Sequence, residues 1–135
     1  MYQFWNSIIA PVLENTPGSV VEIGAFRGAN TSNLLKHCKK YKKKLHVIDP
    51  KPLFAKNDLV LASRYDFELH QEQSLDVLNK LQNIGAFIID GDHNWFTVYH
   101  ELLLIAEKHT DEKTFPVIVF HDINWPYGRR DLYYN

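Results

Sequence analysis

Hydrophobic positions change period repeatedly along the chain, and the changes mark the elements. From Tyr2 to Leu13 the apolar residues Phe4, Trp5, Ile8, Ile9, Val12 and Leu13 recur at three- and four-residue intervals. That is an amphipathic helix, interrupted at Pro11, expected to lean on the domain as a flank or lid. Asn15-Thr-Pro-Gly18 is a turn, and Ser19 to Gly24 reads as a short buried strand that ends on glycine. Helical character follows from Ala29 to Lys40. The alternation continues with strands at Leu45 to Asp49, Asp66 to His70, Ala86 to Asp90 and Pro116 to His121. Helices are expected between them, at Ala55 to Ala62, Ser74 to Leu81 and Phe96 to Lys108.

Five strands separated by helices imply an α/β domain built on a doubly wound parallel sheet with helices on both faces. Phe87-Ile-Ile and Val117-Ile-Val-Phe120 are apolar throughout, as strands covered on both faces should be. The expected division is a flanking helix over 1–17, the α/β domain over 18–122 and an irregular tail over 123–135.

Composition narrows the classes of function. A chain of 135 residues is the size of one domain, and 45% hydrophobic with 23% charged residues is ordinary for a globular protein. The net charge of −1 gives no long-range attraction to nucleic acid or acidic membranes. Cys38 is the only cysteine, which excludes an internal disulfide and a multi-cysteine zinc site, and it reads as helix packing. No apolar stretch approaches the roughly 20 residues of a membrane span, and Met1 to Glu14 lacks a signal-peptide pattern, so a cytoplasmic location is the default expectation. The basic run Lys39 to Lys44 falls where a helix should end and reads as a solvated helix terminus. His37, His46, His70, His100 and His109 show no ligand spacing and read as structural or exposed.

Candidate chemistry gathers at the strand ends, where open α/β sheets bind ligands. Glu22 and Gly24 close the first strand, Asp49 the second, Gln73-Ser74 follow the third, Asp90 to His93 the fourth and His121-Asp122 the fifth. In Glu22-Ile-Gly-Ala-Phe-Arg-Gly28 the glycines allow a tight turn and close approach to a ligand. A dinucleotide fingerprint would be G-x-G-x-x-G, whereas this chain has G-x-x-x-G. Glu22 also suits an ammonium better than a phosphate, which argues against a nicotinamide-dependent oxidoreductase. Asp49 lies 25 positions after Gly24, where a carboxylate can accept both hydroxyls of a ribose. Phe87-Ile-Ile-Asp-Gly-Asp-His93 delivers two carboxylates and an imidazole from an apolar strand. A carboxylate there needs a cation, a donor or a metal.

Across residues 18 to 122 the chain resembles the class I S-adenosylmethionine-dependent methyltransferases. Glu22-Ile-Gly-x-x-x-Gly28 looks like their first motif and His46-Val-Ile-Asp49 like their second. The resemblance implies a Rossmann-like sheet of core order 3-2-1-4-5. Seven-stranded relatives would need two more strands, so the chain reads as truncated or minimal. It also implies S-adenosylmethionine as cofactor. Gly24 and Gly28 would line its methionine part, Glu22 would support that loop, Asp49 would hold the ribose, and Gln73-Ser74 would flank the base. Ser74 reads equally as a helix N-cap.

The D-G-D-H and H-D pair resembles metal-assisted O-methyltransferases of small molecules and sugars. That resemblance implies Asp90 and Asp122 as candidate ligands of Mg2+, with Asp90 also counted in the cofactor site, and His93 as general base. Asn124 departs from the family's acidic pattern after the fifth strand, which puts the metal in question. The expected partner is a small-molecule acceptor, with neither nucleic acid nor membrane. A non-catalytic nucleotide-binding or assembly module is the rival reading of the same residues.

Overall fold

The computed structural model describes residues 4–110 and 114–121. The strands β1 (Ser19–Ile23), β2 (Leu45–Ile48), β3 (Glu68–His70), β4 (Ile84–Ile89) and β5 (Val117–Phe120) form one sheet in the order β3-β2-β1-β4-β5. Every neighbouring pair is parallel. This is the doubly wound α/β architecture expected from the alternation of patterns. The chain winds outward from β1 to β3 on one side and from β4 to β5 on the other, so the order reverses between β1 and β4. That reversal opens a crevice beyond the strands' carboxyl ends.

Strand periodicity of two sends alternate side chains into two separate cores. On one face Val20, Val47, Ala86 and Ile88 pack with Leu34, Leu35 and Cys38 of α2 (Ala29–Tyr41), with Leu59 and Val60 of α3 (Lys56–Ser63) against them. On the other, Val21, Ile23, Ile48, Phe87 and Ile89 pack with Val77 and Leu78 of α4 (Ser74–Leu78) and Ile105 of α5 (Trp95–Lys108). β1, β2 and β4 are buried at every position, whereas β3 and β5, the sheet edges, are only partly covered. Each buried Val, Leu or Ile contributes roughly 1.5–3 kcal/mol through water released from its surface. Cys38 is fully buried, and burial pushes its thiol up to about 12, which suits packing and leaves the thiol unreactive.

The N-terminal segment differs from a helix broken at Pro11. A π-helical turn over Trp5–Ile9 runs directly into α1 (Ala10–Glu14), with Pro11 in the first turn of α1. The wider winding closes on Trp5 through the Ala10 N–H, so the donor that proline lacks falls where the helix changes type. Ile9 and Leu13 enter the α2-side core, while Ile8 stays 50% exposed, so the segment is a flank.

Two lysines anchor elements through backbone oxygens. Lys43 donates from Nζ to the carbonyls of Leu13 and Thr16, closing the end of α1, so the basic run is not merely a solvated terminus. Lys108 Nζ donates to Leu78, Asn79 and Leu81, stabilising the turn where α4 stops three residues before the expected end. Among the described residues no helix is long and apolar enough to cross a membrane. The tail over 123–135 and Asp122 lie outside the described residues.

Candidate functional site

The loop from β1 to α2 takes its shape from a glycine that nothing else could replace. Gly24 has φ +84°, and a Cβ there would stand 2.3 Å from the Asp90 carbonyl oxygen and 2.4 Å from Gly91 Cα. The ends of β1 and β4 therefore touch backbone to backbone. Gly28, at φ +75°, sits at the N-terminus of α2 against the Phe54 and Leu59 side chains.

Behind this loop Glu22 is wholly buried and accepts hydrogen bonds from Asn30 Nδ2 at 2.9 Å and Thr31 Oγ1 at 2.6 Å. It ties the first turn of α2 to β1. Burial pushes its carboxyl up to about 7, against the pull of those two hydrogen bonds, and the Asp90 and Asp49 carboxylates add to the rise.

Asp49 leaves the end of β2 and holds the same loop from the other side. Its Oδ2 accepts from the N–H groups of Ala25 at 2.9 Å and Phe26 at 2.8 Å, and its Oδ1 accepts from Lys51 N–H at 2.8 Å. Three backbone donors leave about one of the carboxylate's lone-pair positions for anything else. Phe26 adopts φ +49°, a conformation costly to a residue with a Cβ, and holds its ring 61% exposed. Strain of this kind persists where surrounding contacts enforce it, and here the Asp49 carboxylate does so.

On the other side of the crevice, Ile89 and Phe120 are partners in the β4–β5 register, which brings the next residues together. The Asp90 carboxylate accordingly lies 3.0 Å from His121 Nδ1. Asn94 caps α5 by accepting from Phe96 N–H at 2.8 Å, and Asp92 accepts from Asn94 N–H at 3.2 Å. His93 stands half-buried in this loop. At α4 the cap position belongs to Gln73, which makes no side-chain cap bond; Ser74 instead donates its hydroxyl to Glu101 Oε1 at 2.5 Å.

These ends enclose a cleft of about 380 Å³, within the range of small-molecule sites. Of the residues expected at a site, Gly24, Asp49, Gln73, Ser74 and Asp90 line it. Glu22, Gly28 and His93 are not among its lining residues, which on the loop after β4 run from Asp90 to Asp92. A family model described as a methyltransferase domain matches residues 21–123, from within β1 to just beyond β5. The chain belongs to the class I S-adenosylmethionine-dependent methyltransferase family. No curated protein matches it.

The cleft of this methyltransferase also contains a residue that sequence reasoning passed over. Glu101 of α5 is 1% exposed, and burial pushes its carboxyl up to about 7 despite the Ser74 hydrogen bond, with Asp92 adding to the rise. Its Oε2 has no hydrogen-bond partner among the described residues. A signal for it existed: Thr97, Glu101 and Ile105 follow one another at four-residue spacing, so a carboxyl occupies the inward stripe that ends on a core isoleucine.

Of the two residues expected to hold Mg2+, Asp90 is among the described residues and its Oδ1 lies 3.0 Å from His121 Nδ1, while Asp122 lies outside them.

Proposed function

We propose that this methyltransferase binds S-adenosylmethionine in the cleft and transfers its methyl group to the hydroxyl of a small molecule, a sugar or related metabolite. The observation that carries the reading is the convergence on one cleft of the Gly24 turn, the Asp49 carboxylate, the Gln73-Ser74 pair and the unpartnered Glu101 Oε2. A buried acceptor without a partner costs about 1–3 kcal/mol, and a ligand amine placed there relieves that cost. The adenine amine is such a donor, which favours the base beside Ser74 and Glu101, the ribose at Asp49 and the methionine part at the Gly24 turn.

When bound, the cofactor supplies an electrophilic methyl on a sulfonium. The rigid backbone contact between Gly24 and Asp90–Gly91 fixes the floor on which acceptor and methyl are aligned, and alignment lowers the barrier to displacement. His93, next to Asp92 of the cleft lining, would take the acceptor's hydroxyl proton while the bound cofactor would supply the methyl group. An imidazole serves because its neutral form offers a ring nitrogen that accepts a proton.

Calorimetry of the folded chain with S-adenosylhomocysteine tests the cofactor half, and absence of binding at about 1 mM, equivalent to roughly −4 kcal/mol, would overturn it. Transfer of labelled methyl to a panel of hydroxylated metabolites tests the other half. His93→Ala should lower the rate by about 10²–10⁴ with cofactor affinity unchanged. Cofactor binding with no transfer to any acceptor would favour a non-catalytic module.

A further inference from the structure

Away from the cleft, the sheet edge brings together two histidines that sequence spacing left unrelated. In the parallel pairing of β2 with β3, His46 lies opposite Glu68 and Ile48 opposite His70. Neighbouring residues of parallel strands share a face, so His46, Glu68 and His70 all point to the side of α4, opposite to the Val47 and Leu69 side chains packed toward α2. His46 Nδ1 lies 3.2 Å from His70 Nε2 and 3.1 Å from Glu68 Oε2, and His70 Nε2 lies 3.8 Å from the same oxygen. Among the described residues this is the one group of three side chains whose ligand atoms converge in this way.

We propose that His46, Glu68 and His70 form a binding site for a divalent transition ion of the zinc type, separate from the methyl-transfer cleft. Tetrahedral zinc with N and O ligands at 2.0–2.2 Å requires its ligand atoms to stand roughly 3.3–3.6 Å apart, close to the three separations observed. Two imidazoles and one carboxylate select zinc, cobalt or nickel over magnesium and calcium, which prefer oxygen. The carboxylate is also held in a suitable orientation, because Lys44 Nζ meets Glu68 Oε1 at 2.6 Å and leaves Oε2 turned toward the imidazoles. Such outer partners fix the position of ligating groups.

The two rings stand with centroids 5.5 Å apart and planes 22° apart, and His46 Nδ1 and His70 Nε2 face each other at 3.2 Å, close enough for one ring nitrogen to donate to the other. A cation bound between these nitrogens displaces any proton held there, which leaves to solvent. Glu68 is half-exposed and His70 partly so, which gives the ion a path from water and leaves its fourth position to a water molecule.

Calorimetric titration of the folded full chain with Zn2+, in buffer containing excess Mg2+, provides the test. One ion should bind per chain, and Co2+ in its place should give the visible bands of a four-coordinate complex. Glu68→Gln, at a half-exposed position that tolerates the change, and His70→Asn should each weaken zinc binding at least about tenfold, while Asp90→Asn in the cleft leaves it unchanged. No binding, equal binding by the Glu68 and His70 variants, or loss of binding in the Asp90 variant would each overturn the proposal.

Discussion

Glu22→Gln separates the electrostatic burden of a buried carboxyl from its hydrogen bonds. The glutamine keeps one acceptor for Asn30 Nδ2, and the Thr31 hydroxyl can rotate to accept from the new amide. What disappears is the ionisation. Glu22 has its folded value raised from 4.5 to about 7. Its contribution to stability is therefore fully present below about pH 4.5 and is lost as pH rises through about 7, because the folded state holds the proton that the unfolded chain releases. Between about pH 5 and pH 8 this single group should remove roughly 2–3 kcal/mol from the wild-type protein. Urea denaturation of both proteins at the two pH values reads the difference directly. His46 and His70, lowered by burial, bias stability the opposite way, but they are common to both proteins and cancel. Glu22→Gln should lose roughly 2–3 kcal/mol less than wild type over the interval. Equal losses in the two proteins would refute the reasoning, because they would mean that Glu22 stays ionised in the fold.

Further predictions concern the loop between β1 and α2. Asp49→Asn turns an amide N–H2 toward at least one of the three backbone donors, which should cost about 1–3 kcal/mol in denaturant midpoint analysis. In S-adenosylhomocysteine titrations the same variant should lose at least about tenfold in affinity, and unchanged affinity would remove Asp49 from the cofactor site. Gly24→Ala forces a Cβ against the Asp90 carbonyl and should destabilise by roughly 3 kcal/mol or more. Gly28→Ala meets only side-chain atoms at 3.1 Å and should cost roughly 1–2 kcal/mol, mostly from its left-handed backbone. Thermal denaturation that reversed this order would contradict the packing described for β1 and β4.

Most of the fold was legible because it rests on local periodicity. Runs such as Val20-Val21 and Phe87-Ile-Ile89 report burial on both faces without reference to any partner. Element ends were less legible. α4 stops at Leu78 because Lys108, about 30 residues away in sequence, supplies donors to the turn that follows. Pro11 predicted an interruption and instead marks a change of helical winding, a choice made by burying Ile9 and Leu13 on the sheet.

At the site, the sequence by itself determined which residues stand at the strand ends: Gly24, Asp49, Gln73, Ser74 and Asp90 all reach the cleft because each follows a strand that the pattern located. It also determined the family, whose motifs are contiguous. Only the tertiary structure decided what those residues touch. Glu22 turns to α2 and Asp49 to the loop backbone; Asp90 meets His121, and Glu101 arrives from a helix to receive Ser74. His46, Glu68 and His70 converge only through the β2–β3 register. Periodicity describes how one segment faces a core, whereas these contacts depend on the alignment of two segments, and that alignment is set when both bury their apolar faces together.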